Sequence, residues 1–167
     1  SKNDSIVTEV YDGPFLGAEF MHNNNINGMA WGYMFRKDIL MSLRFNSNIT
    51  FGEDEEFTAK LIIRAERLFT TPSKAYFYRQ RKCSVTHEIN RRTKVQRLEE
   101  NESIIFHLQD LLDKLPKLER AAMERRIAQL SMDYLYNTAR LTRSYSHLNE
   151  ACYRLRRRGL FPLPNKK

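Results

Sequence analysis

From residue 90 to residue 158 the chain contains no glycine, and its one proline there is Pro116. Glycine and proline are the residues that most often open turns and break helices. A stretch so poor in both is committed to long helices. The apolar residues agree with that. Leu98, Ile105, Leu108, Leu112 and Leu115 fall on one face of a first helix, which Pro116 ends. Met123, Ile127, Leu130, Tyr134 and Leu141 line a second. A third begins with Ser146 as its cap, turns Leu148, Cys152 and Leu155 inward, and stops at Gly159. The connections are short, so the helices are expected to lie antiparallel.

Residues 1–87 read differently. SIVTEVY (5–11) alternates like a strand and DGP (12–14) closes it with turn chemistry. FLGAEFMH (15–22) offers one apolar helical face, and NNNING (23–28) is a loop. MAWGYMF (29–35) is apolar throughout and predicts a buried strand, with a short helix over RKDILMSL (36–43). Phe57, Leu61, Ala65 and Leu68 form a helical stripe starting at Glu53. TTPSK (70–74) is a turn, AYFYRQR (75–81) has strand propensity, and KCSVTH (82–87) is an exposed loop. The division is therefore a mixed segment, 1–87, followed by a helical region, 88–167.

Charge follows the same division. Residues 1–87 carry 11 Lys+Arg against 10 Asp+Glu, whereas residues 88–167 carry 17 against 10. A basic surface thus belongs to the second half, and anionic lipid, nucleic acid and a polyanionic substrate all suit it. In the tail RLRRRGLFPLPNKK, cations adjoin Leu160 and Phe161, which are expected to be exposed. No apolar run approaches the roughly 20 residues of a membrane-spanning helix. Cys83 and Cys152 are far apart and lack metal-ligand spacing, which favours a reducing compartment.

One local pattern is harder to explain by folding alone. FGEDEEF (51–57) sets Glu53, Asp54, Glu55 and Glu56 side by side where a helix begins. The first turn of a helix favours negative charge by about 0.3–1 kcal/mol per group, through its unpaired N–H groups and its dipole. That accounts for one or two acids better than for four. Glu55 and Glu56 are expected to be solvated first-turn acids.

The segments WGYMFRKDIL, FGEDEEFTAKLIIRA and AYFYRQRKCSVTH occur in that order. Together they resemble the second half of the catalytic domain of family 2 glycosyltransferases, which have the GT-A fold. An aromatic stretch with a basic residue precedes an apolar helix, an ED pair opens a helix, and a Y-x-Y-R strand leads into an S-x-T loop. The resemblance covers roughly residues 5–87. It implies an α+β fold, mostly helical: the C-terminal part of a GT-A-like core with a few short strands, followed by an antiparallel helical region. The family's nucleotide-binding half and its D-x-D motif are not in this sequence, so the chain alone is expected to be incomplete and inactive.

The resemblance implies that Asp54 is the base that takes the acceptor hydroxyl proton, with Glu53 as a supporting neighbour. Trp31 would stack on a sugar face, though it suits a core position equally well. Gly28 would let backbone approach the donor sugar, or serve as an ordinary turn residue. Arg79, Arg81 and Lys82, beside Ser84 and Thr86, would close on the donor diphosphate. His87 would be a metal ligand, and the full enzyme would use Mg or Mn, none of it held by this chain alone. His22, His107 and His147 have no companions in sequence. The implied partners are a nucleotide-sugar donor, a glycan acceptor and the missing N-terminal half. An anionic membrane surface could meet Arg154–Arg158, for a cytoplasmic protein peripheral to the inner face of the membrane; no specific nucleic acid is expected. The alternative is a basic helical module that binds nucleic acid or protein without catalysis.

Overall fold

The structure, a computed structural model, describes residues 11–72, 76, 77 and 91–162. In chain order its elements are β1 (Asp12–Phe15), α1 (Gly17–Asn23), α2 (Glu53–Ile62), β2 (Leu68–Thr70), α3 (Arg91–Gln109), α4 (Lys117–Thr142) and α5 (Tyr145–Arg157). Short 3-10 turns occupy Ala30–Gly32, Lys37–Leu40 and Leu112–Lys114. The fold is α+β and mostly helical. Among the described residues the sheet has two antiparallel strands, β1 and β2, pairing Asp12 with Thr70 and Phe15 with Leu68 across an irregularity.

The three long helices form where glycine and proline are scarce. Pro116 acts as expected, but its influence reaches backwards. A proline disfavours helical backbone at the residue before it, and Leu115 is extended at φ −93°, ψ 141°. Helix α3 has already stopped at Gln109, and a 3-10 turn at Leu112–Lys114 carries the chain to Leu115 and Pro116, the cap of α4.

Several local expectations are corrected. MAWGYMF is not a buried strand. It curls into the 3-10 turn at Ala30–Gly32, and the Tyr33 hydroxyl donates to the Asn27 carbonyl at 2.5 Å. Met34 is 98% exposed; an apolar run finds a strand partner only if one lies beside it, and none does among the described residues. The helix expected over 36–43 shrinks to the turn Lys37–Leu40, which Met41 ends at φ 44°. Helix α2 stops short of Ala65 and Leu68. The Ala65 carbonyl instead accepts from the Gly17 N–H at 2.7 Å, and Leu68 enters β2. DGP, read as a turn, and Phe15, read as the start of a helix, together form β1. The strand expected over 5–11 lies outside the described residues except for Tyr11. That over 75–81 does so except for Tyr76 and Phe77, neither of which is in a strand.

The core draws on both sides of residue 88. Met21 of α1, Ala59 and Ile62 of α2, Ile105 and Leu108 of α3, Met123 and Ile127 of α4, and Leu155 of α5 belong to one buried cluster. Helix α4 is its spine, packing against α1, α3 and α5. A smaller cluster of Leu43, Phe57 and Leu61 lies beneath the two early 3-10 turns. Leu160 and Phe161 are not left exposed. Both pack on the main cluster, with Arg156 over the Phe161 ring at 5.6 Å.

The cap of α5 is Ser144, not Ser146. Arg143 ends α4 at φ 49° and the chain re-enters a helix within two residues, so the capping position falls early. The Ser144 hydroxyl accepts from the His147 N–H at 3.5 Å. Ser144→Ala should therefore cost about 0.5–1 kcal/mol. Ser146→Ala, on an exposed first-turn residue, should stay within about 0.5 kcal/mol of wild type. Urea denaturation of the two variants checks the assignment.

Candidate functional site

The four acids of FGEDEEF begin α2, and the turn before them is fixed from α3. Gly52 holds φ 83°, a left-handed conformation that glycine adopts without penalty. The Glu100 carboxylate accepts the N–H groups of Thr50 (3.1 Å) and Phe51 (2.7 Å). Arg97 lies over the Phe51 ring at 4.5 Å, and Asn46 Nδ2 lies 3.4 Å from His107 Nδ1. Charge-assisted bonds of this kind are stronger than neutral ones. The first turn of α2 is thus held by a helix that begins some forty residues later.

The acids do not share one role. Glu56 is only 5% exposed, which corrects its expected solvation. It receives Lys60 Nζ and lies 3.4 Å from His107 Nδ1. Burial pushes its carboxyl up, but the hydrogen bonds and charges of Lys60 and His107 outweigh burial and hold it below its ordinary value. Glu55 is also withdrawn. Its carboxylate pairs with Arg126 of α4, a guanidinium only 5% exposed. Burial is the largest influence on Glu55 and leaves its pKa raised, with Arg126 pulling the other way. Arg126 also donates to the Ile26 carbonyl (3.4 Å) and to Gln129 (3.3 Å), and Gln129 donates to Asn25 (2.8 Å).

Glu53 and Asp54 remain. Both are half-buried at the helix start, and neither side chain makes a hydrogen bond or ion pair among the described residues. The run is therefore divided into two acids in ion pairs and two with no hydrogen bond or ion pair among the described residues.

Gly28 lies against Glu55. A Cβ there would come within 2.0 Å of the Glu55 carboxylate, and the Gly28 carbonyl accepts from the Thr58 hydroxyl at 2.9 Å. Its missing side chain makes room for the Glu55–Arg126 pair. Trp31, on the adjacent 3-10 turn, is 40% exposed and stacks on Tyr76 with ring centroids 4.5 Å apart. That contact joins the WGYMF segment to the start of YFYRQR. Arg79, Arg81, Lys82, Ser84, Thr86 and His87 lie outside the described residues. A cavity of about 170 Å³ adjoins the site, lined by Glu55, Asn101, Asp133, Tyr134 and Asn137 among others, and a cleft of about 770 Å³ opens at the far end of α2. Neither Asp54 nor Trp31 lines either one.

Several arginines of the helical region form exposed ion pairs. Arg120 reaches Asp113 and Glu124, Arg154 reaches Glu102 and Glu150, and Arg158 reaches Asp110. Among the described residues no three of His, Cys, Asp and Glu converge to hold a metal ion, and no helix is long and apolar enough to cross a membrane. No protein-family model, curated protein or solved structure matches the chain.

Sequence reasoning missed Glu55, Arg126, Glu100 and His107 as organising residues. Arg126 did leave a signal, as a single arginine within the apolar stripe of Ala122, Met123 and Ile127. Glu100 left none, because its partners lie 50 and 49 residues away.

Two outcomes follow from this geometry. Arg126→Met leaves a largely buried carboxylate unpaired and should cost roughly 3 kcal/mol at neutral pH, at the low end for buried pairs because Glu55 keeps some solvent contact. Adding Glu55→Gln should recover part of that loss in urea titrations. Glu56, held below its ordinary value of 4.5, stabilises the fold fully above that value, and the contribution is lost as pH falls through the lower folded value. The stability gap between wild type and Glu56→Gln should therefore be widest above about pH 5 and narrow on acidification.

Proposed function

We propose that this chain is part of an inverting glycosyltransferase, moving a sugar from a nucleotide-sugar to a saccharide or lipid-linked acceptor in surface polysaccharide synthesis. The observation that carries this reading is the division of the four acids. A fold that needed only a charged helix start would have no use for a clamped turn that spends two carboxylates on ion pairs and leaves Glu53 and Asp54 open. A general base requires such an arrangement, an ionised group aimed by a rigid element with nothing else bound to it.

In this reading the acceptor hydroxyl attacks the anomeric carbon, the bond to the leaving diphosphate breaks, and Asp54 takes the hydroxyl proton. Glu53 orients the acceptor, Trp31 offers a ring face to a sugar, and Arg79, Arg81 and Ser84 meet the diphosphate. The divalent metal implied by the resemblance has no donor set among the described residues, and no step here passes through it. A GT-A-like core completed by a preceding nucleotide-binding half is part of the proposal. So is a contact with the inner membrane face, for which Arg157 has no carboxylate partner among the described residues.

The alternative, a basic helical binding module, has less support. Arg120, Arg126, Arg154 and Arg158, on which it would draw, each sit on a carboxylate of the same chain.

The coding sequence upstream of Ser1 gives the first check: a βαβ segment with a D-x-D motif is expected, and an unrelated domain there would count against the reading. In the polypeptide that carries both halves, Asp54→Asn should lower sugar transfer by about 10²–10⁴-fold. Nucleotide affinity and the unfolding midpoint should be unchanged. Undiminished transfer by that variant would remove Asp54 from the role.

A further inference from the structure

The cleft of about 770 Å³ lies at the opposite end of α2 from the acids, between the start of α1, the segment after the Lys37–Leu40 turn, and the turn into α4. Its volume is that of a small-molecule site, for which roughly 300–1,000 Å³ is usual. Leu16, Met41 and Leu118 reach it from three separate parts of the chain, and each stays exposed. Met41 does so from a backbone conformation, φ 44° and ψ −112°, that costs a residue with a Cβ energy.

Three of the cations around this apolar surface, Arg44, Arg64 and Lys114, have no ion pair among the described residues. Arg44 donates to the carbonyl oxygens of Met41 (3.2 Å) and Leu43 (2.7 Å), and Arg64 donates to that of Leu40 (3.3 Å). Carbonyl groups orient a guanidinium without neutralising it. The Lys114 side chain has no carboxylate partner among the described residues, whereas Lys60 is taken by Glu56. Glu66 and Glu119 also line the cleft, so the cationic surplus is small.

We propose that this cleft binds a single-chain amphiphile with a phosphate monoester head group, a lysolipid in chemical class. The hydrocarbon chain lies on Leu16, Met41 and Leu118, and the head group meets Arg44, Arg64 and Lys114. Guanidinium and ammonium groups suit a compact phosphate. Glu66 and Glu119 set a limit on the charge accepted, because a polyanion spread along the cleft would meet both carboxylates. Neither Glu53 nor Asp54 lines this cleft, so the site stands whether or not the chain transfers sugars.

The test is calorimetric titration of the full chain with lysophosphatidic acid below its micelle concentration. Saturable one-to-one binding is expected. The double variant Arg64→Gln/Lys114→Gln should weaken it about tenfold or more, since charge-assisted contacts to the head group are lost. Both residues are exposed and unpaired with acids, so circular dichroism should find the fold intact. Leu118→Asn should weaken binding through the hydrocarbon chain. Equal affinity for lysophosphatidylcholine, displacement by inorganic phosphate at equal affinity, or binding to anionic vesicles without binding to the monomeric lipid would each overturn the proposal. So would an unchanged affinity in the double variant.

Discussion

The ion pair between Glu55 and Arg126 joins residues 71 apart in sequence and brings the start of α2 against the middle of α4. Much of the molecule is arranged around it. Arg126 reaches onward to the Ile26 carbonyl, so the loop after α1 is drawn into the same contact. Gly28 has no side chain where a methyl group would collide with the Glu55 carboxylate. Such a pair is costly to bury and adds little net stability over an apolar replacement. Its value lies in geometry, since a buried charge tolerates few arrangements other than the one that satisfies it.

The pair also decides what the rest of the acidic run is free to do. Successive residues on a helix point about 100° apart, so four acids in one turn cannot face the same partner. Glu55 faces α4, Glu56 faces Lys60 and His107, and Glu53 and Asp54 face neither. Electrostatic repulsion between neighbouring carboxylates is relieved by cations on two sides and by the clamped turn in front. The proposed base thus occupies a position whose direction is set by residues that take no part in the chemistry.

The same economy governs the basic half. A net charge of +8 suggests a sticky cationic surface, but several of the cations are engaged within the chain. Arg120, Arg154 and Arg158 sit on carboxylates, and Arg97, Arg156 and Arg158 lie over aromatic rings. Arg157 and Arg140 have no carboxylate partner among the described residues, and Arg44 and Arg64, around the cleft at the far end of α2, rest on carbonyl groups.

What the sequence determined by itself was whatever depends on near neighbours along the chain. The long helices follow from the absence of glycine and proline, the break from Pro116, and the apolar stripe of Ile105, Leu108, Met123, Ile127 and Leu155 from helical spacing. The helix that begins at Glu53 was legible for the same reason. Tertiary structure alone decided whatever needs a partner far away. MAWGYMF has the composition of a buried strand, yet among the described residues no strand pairs with it and it forms an exposed turn. Glu55 and Glu56 read as solvated, yet Glu55 is half-buried against Arg126 and Glu56 is buried beside His107, because those partners arrive from helices that local sequence cannot position. Backbone preference is a short-range property, whereas the energy of a charge depends on everything within a few ångströms of it. Only the folded chain settles which residues those are.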